Sequence, residues 1–371
     1  MTTVHDVRRL LDEWYPPALA ESWDRPGLVC GDPQAPATPV GCALEATDAV
    51  VDAAQAAGVR MLVVHHPLLL HPVSSIAADT AKGRVLHRLV SSGIALMSAH
   101  TNADAARGGV NDVLAGLLGV GETTPLSPAG TDPLDLWGLT CPPEDAGAVR
   151  EAVGRAGAGA LGDYRDCSFS VSGTGRFTPL PGARPARGRV GTEEVLTEER
   201  ITFVAPRSRR REVHAALVAA HPYEEPAFDV VESHSHDLVG TGIGRVGTLA
   251  EPMSLAAFTR RVADRLPRTV WGVRAAGDPD RQVRTVALCS GAGDSLMAEA
   301  SASGADVYLT SDLRHHPADE HLRRGGPALV DVAHWASEFP WCPDVAARLE
   351  AAGVEARVLD VRTDPWTISV V

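Results

Sequence analysis

The sequence predicts an α/β protein in which two α/β halves flank a smaller inserted α+β domain. In the first part of the chain, short apolar runs such as "VGCALEAT" and "MLVV" alternate with helical patterns, which is typical of βαβ units. The same alternation returns near residue 253, and the region between is rich in turns and longer strand patterns. We therefore expect α/β lobes at 1–127 and 244–371 and an insert at 128–243.

The elements of the first lobe follow in a regular order. The segment "VHDVRRLLDEW" has the apolar spacing of an amphipathic helix, and four-residue apolar runs mark strands buried on both faces. The alternation then continues through "DAVVDAAQAAG", "MLVVHH", "KGRVLHRLVSSG", "IALMSAH" and "GGVNDVLAGLLG". The second lobe repeats this pattern from "SLAAFTRRVADRL" to "DVAARLEAAG".

The middle segment has a different pattern. Two helical stretches, "EDAGAVREAVGRAG" and "RSRRREVHAALVAAH", each lie beside strand patterns such as "DCSFSVSGTG" and "ERITFVAP". Turn-rich sequence such as "FTPLPGARPARGRVG" separates them. This arrangement predicts a small α+β sandwich inserted into the larger fold.

Composition narrows the function classes. The 47 acidic residues outnumber the 34 basic ones for a net charge of −13, which disfavours binding to a polyphosphate backbone. Six cysteines without a CxxC pair encode neither a zinc knuckle nor a dense disulfide framework. With no signal-peptide pattern and no apolar run of membrane-spanning length, we expect a cytoplasmic protein without membrane partners.

Chemically versatile side chains cluster where predicted strands end. His65 and His66 follow "MLVV", and a second strand leads into a segment with His100 and Asp104. A third strand, "ALVDVA", ends at His334 and Glu338, which share one helix face if a helix begins there. Because ligands gather beyond the carboxyl ends of parallel strands, these side chains are expected to converge.

Two adjacent imidazoles suggest more than one ion. Successive side chains diverge, so His65 and His66 serve two neighbouring ions more easily than one. In two-metal sites, ions about 3.5–4 Å apart activate a water for hydrolysis. Mixed histidine and carboxylate ligands suit Zn, Fe, Mn, Co or Ni and do not choose among them.

Each cluster also has an ordinary interpretation, as a surface pair, a helix cap or an exposed ion pair. The glycine-rich "CSGAGDS" lacks the full dinucleotide fingerprint and favours a tight turn over a phosphate loop. "TSDLRHH" offers Asp312, His315 and His316 for orienting ligands or moving protons, or is a solvated loop. In the insert, "HPYEEPAFDV" is either a second binding surface, through His221, Tyr223, Glu224 and Glu225, or a packed strand entry.

Several segments, in order and across nearly the whole chain, resemble the dinuclear-metal-centre hexameric proteins named GTP cyclohydrolase 1 type 2 homologues. They are "ESWDRPGLVCGDP", "VVHHPLLL", "HTNADAARGGVND", "GAGDSLMAEASASGADVYLTSDLRHH" and "DVAHWASE". The resemblance implies that two divalent ions are bound by His65, His66, Asp104, His334 and Glu338. Two positions depart from the family pattern, Ser311 in place of glycine and His71 after "HHP", and neither is a predicted ligand.

The same resemblance implies more about fold and assembly. It implies two lobes that form a three-layer core around the metals, a toroidal homo-hexamer, and an insert similar to the ferredoxin-like PII and CutA modules. It also implies opening of the purine ring of GTP, although no guanine-reading motif is evident in the sequence. Fold and metal ligands alone do not fix a substrate.

Two functions remain open at this point. The first is a metal-dependent hydrolase of a small molecule, for instance a nucleotide, in which His316 or His100 transfers protons. The second is a non-catalytic regulatory or metal-homeostasis protein that binds a partner or effector through the insert. Nucleic-acid binding is disfavoured by the net charge of −13.

Overall fold

The computed structural model describes residues 2–129, 134–161, 164–232 and 240–370. The chain forms two compact units, one made of Met1–Ala129 and Gly240–Val371 and the other of Gly130–Val239. The first unit therefore contains both segments that the sequence assigns to α/β lobes. Among the described residues, no helix combines the length and the apolar character that a membrane span requires.

The first sheet of the larger unit has five strands in the order β1-β4-β3-β2-β15. Its central strands pair in parallel, β1 is antiparallel to β4, and every residue of β2, β3 and β4 is buried. Burial on both faces explains why these strands are apolar throughout. The strands are β1 (Gly27–Cys30), β2 (Val40–Ala43), β3 (Met61–Val64), β4 (Ala95–Ser98) and β15 (Ala356–Val358).

The second sheet has six strands in the order β11-β14-β13-β12-β10-β5. Strands β12, β13 and β14 are parallel, and β10, β11 and β5 pair antiparallel at the flanks. The strands are β5 (Val120–Pro128), β10 (Gly242–Ser254), β11 (Val273–Ala276), β12 (Gln282–Ala292), β13 (Val307–Ser311) and β14 (Ala328–Val332). The predicted α/β class is confirmed.

The two sheets exchange edge strands. The last strand before the insert, β5, closes the edge of the second sheet, and the C-terminal β15 closes the edge of the first. Strand β10 runs antiparallel to β5, with Gly242 opposite Pro128. The chain therefore leaves the larger unit at the end of β5 and returns to it at the start of β10, and these two strands are neighbours.

Ten helices of the described residues belong to the larger unit. Threonine side chains accept a hydrogen bond from the first turn of α1, α2 and α3, and Ser254 does the same for α8. The helices are α1 (Val4–Trp14), α2 (Asp48–Ala56), α3 (Ala81–Ser91), α4 (Thr101–Ala105), α5 (Val110–Leu118), α8 (Leu255–Arg265), α9 (Met297–Ala302), α10 (His315–Arg323), α11 (His334–Glu338) and α12 (Trp341–Ala351).

Arg245 on β10 is buried and fully hydrogen-bonded. Its guanidinium pairs with both carboxylate oxygens of Asp112 on α5, at 2.6 and 3.0 Å. It also donates to the carbonyl oxygens of Gly242, Gly244 and Ala106. A buried arginine is tolerable only when its donors are satisfied in this way, so Arg245 fixes β10 against the segment that carries α4 and α5.

The described residues of the smaller unit form an antiparallel sheet in the order β7-β8-β6-β9 and two α-helices. Its chain order is βαββαβ, which with this strand order is the ferredoxin-like arrangement. Trp137, Leu139 and Phe203 of the sheet pack against Val149 and Leu217 of the helices. The elements are β6 (Leu134–Cys141), α6 (Ala146–Arg155), β7 (Ser168–Phe177), β8 (Glu194–Pro206), α7 (Arg210–Ala220) and β9 (Phe228–Glu232).

An ion-pair network lies on the smaller unit. Asp135 of β6 is inaccessible to solvent. Its carboxylate accepts hydrogen bonds from Nε of Arg207 and from Nε and Nη2 of Arg210. Arg210 also donates to Glu232 of β9. The pKa of Asp135 is lowered, chiefly by the Arg210 hydrogen bonds.

Candidate metal centre

The ends of three parallel strands meet at one site of the larger unit. His65 and His66 follow β3, His100 precedes α4 with Asp104, and α11 carries His334 and Glu338 directly after β14. The five residues that the sequence predicts as metal ligands all lie in this cluster. Both sheets contribute, since β3 belongs to the first and β14 to the second.

Glu338 lies at the middle of the cluster. Its Oε1 is 3.7 Å from Nε2 of His65, and its Oε2 is 2.8 Å from Nε2 of His66 and 3.2 Å from Nε2 of His334. On the far side, Oδ1 of Asp104 is 3.7 Å from Nε2 of His65. Oε1 of Glu338 thus faces His65, whereas Oε2 faces His66 and His334.

Each histidine of the cluster is held through its Nδ1 atom. Nδ1 of His65 donates to the carbonyl oxygen of Ala99 at 2.9 Å, which fixes the tautomer because a carbonyl only accepts. Three carboxylates hold the other rings: His66 Nδ1 lies 3.3 Å from Glu45, His100 Nδ1 3.0 Å from Asp24 and His334 Nδ1 2.6 Å from Asp312. This pattern orients Nε2 as the ligand atom in metal sites.

Two observations test whether the site fits a cation. Nε2 of His65 is buried and has no hydrogen-bond partner among the described residues, and Oε2 of Glu338 is buried with only the Nε2 atoms of His66 and His334 beside it, which is costly for polar atoms unless an ion or solvent contacts them. At Gly291, a Cβ atom would lie only 2.3 Å from Oε1 of Glu338, so glycine keeps this space open. The donor set of imidazoles and carboxylates therefore fits divalent transition metals.

Two groups of side chains bring their donor atoms within 4.8 Å of one another. One group contains His65, His66 and His100, and the other contains His66, His334 and Glu338. Sharing of His66 between them means that the two groups form one continuous cluster. These are candidate metal-binding clusters.

Charge at the cluster shifts the pKa of several groups. Burial opposes protonation of His66 and His334, but the Glu338 carboxylate outweighs it and raises the pKa of His66 to about 10 and that of His334 to about 11. Burial raises the pKa of Asp104, whereas the imidazoles hold the pKa of Glu338 well below its usual range despite burial. The cluster therefore stabilises positive charge, and protons and metal ions compete for the same donor atoms.

Neighbouring polar residues on β12, α5 and α11 brace the ligands. Ser290 of β12 donates from its hydroxyl to Asp104 at 3.2 Å, and its backbone N–H donates to Asn111. Asn111 in turn donates to the backbone carbonyl of Asp104. On the other side, Ser337 accepts from the backbone of Gly291. The position of Asp104 therefore depends on both halves of the chain.

The other residues singled out in the sequence differ in their placement. Asp312 orients His334, the role suggested for its segment, and buried Ser311 contacts Ser337.

His316 is exposed at the start of α10, and its ring contact among the described residues is with His315. His71 is exposed. The "CSGAGDS" segment contributes Ser290 and Gly291 to the cluster, a role that was not predicted.

Two carboxylates of the site were missed. Glu45 lies two residues after the end of β2, so the strand-end rule used for the histidines could have identified it. Asp24 lies in an irregular segment and accepts from the backbone and hydroxyl of Thr101 as well as meeting His100. No local pattern marks Asp24 as a site residue, because His100 and Thr101 lie more than seventy residues away in sequence.

Comparison with known sequences gives matches over nearly the full chain. The family model described as Duf34/NIF3 (NGG1p interacting factor 3) matches residues 2–365. A Mycobacterium tuberculosis protein named GTP cyclohydrolase 1 type 2 homolog is 52% identical over 367 residues, covering 98% of this chain and 96% of that protein. A Bacillus subtilis protein of the same name is 39% identical over 369 residues, covering 97% of each.

Solved structures agree with this relationship. A Bacillus cereus protein described as related to NIF3 is 34% identical, with a TM-score of 0.66 and 99% of each chain covered. The Staphylococcus aureus protein SA1388 is 26% identical, with a TM-score of 0.72 and 99% of each chain covered. The similarity extends over both α/β segments and the region between them.

Proposed function

This chain belongs to the Duf34/NIF3 family, and we propose that it is a metal-dependent hydrolase that binds two divalent ions through His65, His66, Asp104, His334 and Glu338. The single observation that carries the proposal is the position of Glu338, whose Oε1 faces His65 at 3.7 Å while its Oε2 faces His66 and His334 at 2.8 and 3.2 Å. A carboxylate so placed is suited to bridging two cations.

Divalent ions in such a site lower the pKa of bound water and polarise the bond to be attacked. The protein's own residues supply the remaining functions. Asp312 and Glu45 hold His334 and His66 in orientation, and Asp24 holds His100. His100, whose ring lies 5.1 Å from that of His65, is the imidazole best placed to carry a proton at the edge of the cluster.

The substrate and the assembly are part of the same proposal. The name of the curated relatives makes GTP the first compound to test, followed by nucleosides and cyclic amides. We further propose a homo-hexamer in the cytoplasm, on the basis of the family resemblance. Light scattering coupled to size-exclusion chromatography would measure the number of chains.

Elemental analysis by mass spectrometry tests the metal centre directly. The protein is purified without chelator or an affinity metal and compared with a His65→Ala, Glu338→Ala double variant and with a His71→Ala control at an exposed histidine. About two equivalents per chain are expected in the natural protein and the control, with loss in the double variant. One equivalent or none in the natural protein would refute the two-metal proposal.

Hydrolysis needs its own measurement. Metal-loaded protein is incubated with the substrate panel, and products are separated by chromatography. Turnover that disappears in the double variant and persists in the control supports the hydrolase. Metal-loaded protein that turns over no nucleotide, cyclic amide or phosphoester would refute catalysis while leaving metal binding intact.

A cavity in the smaller unit favours the second candidate, a regulator that binds an effector. Its volume is about 370 Å³, and its lining includes Phe177, Glu198 and Tyr223. The hydroxyl of Tyr223 donates to Glu198 at 3.0 Å. The "HPYEEPAFDV" segment thus lies at a cavity.

Replacing residues 130–239 by a short turn separates the two functions, because a hydrolase keeps metal and turnover whereas a regulator loses its effector response.

A further inference from the structure

The cavity of the smaller unit lies on the sheet face that its helices leave open. Side chains alternate along β6 and β8, and Leu139 and Ile201 pack on the side of the helices. Thr140 and Glu198 line the cavity, which has a volume of about 370 Å³, and they belong to the opposite face. The loop between β7 and β8 forms much of the remaining wall. The cavity is therefore a covered part of the sheet surface.

One side of this cavity is apolar. Phe177, Pro179 and Leu180 line it where β7 continues into the loop. The centroid of the Phe177 ring lies 6.0 Å from that of the Tyr223 ring. Leu180 is 69% exposed, so its side chain is available for contact with a ligand. An apolar wall beside a few polar groups is the usual composition of a small-molecule site.

Hydrogen bonds fix the polar side of the cavity. The backbone N–H of Tyr223 donates to Nδ1 of His221 at 3.1 Å, so Nε2 carries the ring proton and donates to the carbonyl oxygen of Thr140 at 2.9 Å. The backbone N–H of Arg184 donates to Glu224 at 2.9 Å, which connects the loop to the same segment. The wall is therefore held by the protein's own hydrogen bonds.

Glu198 is a buried charge at this cavity. The residue is only 9% exposed, and it has no ion-pair partner among the described residues. Its Oε1 accepts a hydrogen bond from the hydroxyl of Tyr223 at 3.0 Å. Burial, followed by the hydrogen bond to Glu198, raises the pKa of Tyr223 to about 12, so this hydroxyl keeps its proton at neutral pH. A carboxylate with so little exposure and no counter-charge is costly.

The second oxygen of Glu198 is free to accept a hydrogen bond. Oε2 has no partner in the part of the chain that the structure describes, and unlike the unpartnered oxygen of Glu299 it is not shut off from solvent. A Cβ atom at Gly175 would lie 2.4 Å from Oε2, so glycine keeps room for the carboxylate at this position. A donor group that enters the cavity can therefore reach Oε2.

The guanidinium groups near this carboxylate have other partners. Arg187, which lines the cavity, pairs with Glu144. Arg200, two residues further along β8 on the same face, donates to Asp229 at 2.6 Å. Neither arginine neutralises Glu198.

Arg176 also belongs to the lining, but its side chain leaves β7 on the other face. It alternates with Gly175 and Phe177, which lie on the face of the cavity. The remaining charged lining residues are acidic, namely Glu224 and Glu225. The charge that faces the cavity is therefore negative.

This charge favours an organic cation. Among the described residues, the donor groups close enough together to hold a metal ion lie at the metal centre and not here. An ammonium group has three N–H donors, enough for Oε2 of Glu198 and the hydroxyl oxygen of Tyr223. A carbon chain attached to it would pack against the apolar side of the cavity.

We propose that this cavity binds an aliphatic ammonium compound, with the ammonium group on Glu198 and Tyr223 and the carbon chain on Phe177 and Leu180. The inference rests on the second candidate function, an effector site in the smaller unit, and names the chemical class of that effector. It does not depend on the metal centre or on hydrolysis.

Pentylamine and pentanol form a matched pair of probes, because they have the same carbon chain and only the amine is charged at neutral pH. Isothermal titration calorimetry on the metal-loaded full chain is expected to give a dissociation constant roughly tenfold lower for pentylamine. Glu198→Gln keeps an acceptor for Tyr223 but removes the charge, so it should weaken pentylamine binding by about tenfold. Gly175→Ala should weaken it as well, by displacing Oε2 without changing any charge.

Two controls accompany these variants. Glu193→Gln removes the same charge at an exposed position outside the described lining and should bind pentylamine as the natural protein does. The His65→Ala, Glu338→Ala double variant should also bind it normally, which excludes coordination of the amine by metal ions. Circular dichroism checks that each variant is folded.

Equal binding of the two probes, no binding of pentylamine, or an unchanged affinity in Glu198→Gln would each overturn the inference. Loss of binding in the double variant would overturn it too, because the amine would then bind at the metal centre. Binding that depends on Glu198 supports the inference whether or not it changes turnover or metal content, so a failure of either proposed function is a separate result.

Discussion

Asp312 accepts a 2.6 Å hydrogen bond from Nδ1 of His334 while its own backbone has a φ of 58°, in the left-handed region. Few residues other than glycine adopt this conformation, and asparagine and aspartate are among them. The strand β13 therefore ends in a turn that directs a carboxylate at a candidate metal ligand.

Asp312→Asn should lower metal affinity by about 10- to 100-fold, because the ring of His334 loses its charged partner. Asparagine tolerates the same backbone, so folding stability should change little. Competition with a chromophoric chelator measures the affinity. Asp319→Asn, on exposed α10, is the control, and equal affinities in the two variants would contradict the positioning role.

Gly291→Ala should abolish tight metal binding, since the new methyl group would lie 2.3 Å from Oε1 of Glu338. The φ of Gly291 is 62°, so alanine also introduces backbone strain of about 1–2 kcal/mol. Gly93→Ala carries the same strain at a φ of 65°, with no atom within 4 Å of the new Cβ. Elemental analysis of both variants separates the two effects, and full metal content in Gly291→Ala would refute the steric argument.

Arg245→Ala should lower the free energy of unfolding by about 3–5 kcal/mol, because it leaves Asp112 and several carbonyl groups without their buried partner. Urea denaturation followed by circular dichroism measures the change. At the surface, Arg8→Ala removes an ion pair with Asp12 and should cost only about 0–1 kcal/mol. Similar losses in the two variants would mean that the Arg245 network contributes little.

Asp135→Asn should reduce the stability of the smaller unit at neutral pH by about 1–3 kcal/mol, since two arginines lose a charged acceptor. The folded pKa of Asp135 is lowered, so its contribution is complete above the ordinary value of about 4 and is lost as pH falls through the folded pKa. The gap between natural and variant proteins should therefore shrink below about pH 4. Thermal unfolding at several pH values gives the comparison, and a constant gap would contradict the linkage.

The sequence predicted the α/β class and the five metal ligands, because His65, His66 and His334 follow their strands within two residues and Asp104 and Glu338 lie on the short helices that come next. His65, His66 and His334 are examples of this direct connection, which links local pattern to position in the sheet. Asp24 could not be found in this way, since its contacts to His100 and Thr101 arise only in the folded chain.

The sequence pattern also did not predict that the two sheets exchange edge strands. Strand β15 has only three residues, and β5 continues directly from α5. Which sheet an edge strand joins depends on tertiary pairing rather than on its own residues. The sequence therefore assigned the two lobes to separate segments, whereas each sheet is completed by a strand from the other segment.

The pairing of Gly242 with Pro128 has a consequence for how the chain tolerates its insert. Because these residues are already partners in a ladder, the ends of the intervening segment lie side by side whatever its length. The entropic cost of closing a loop rises only slowly with loop length, by about 0.6 kcal/mol for each doubling. Adding or removing a whole domain at this junction thus changes the closure free energy of the host by only a few kcal/mol, and a turn of a few residues would serve in its place.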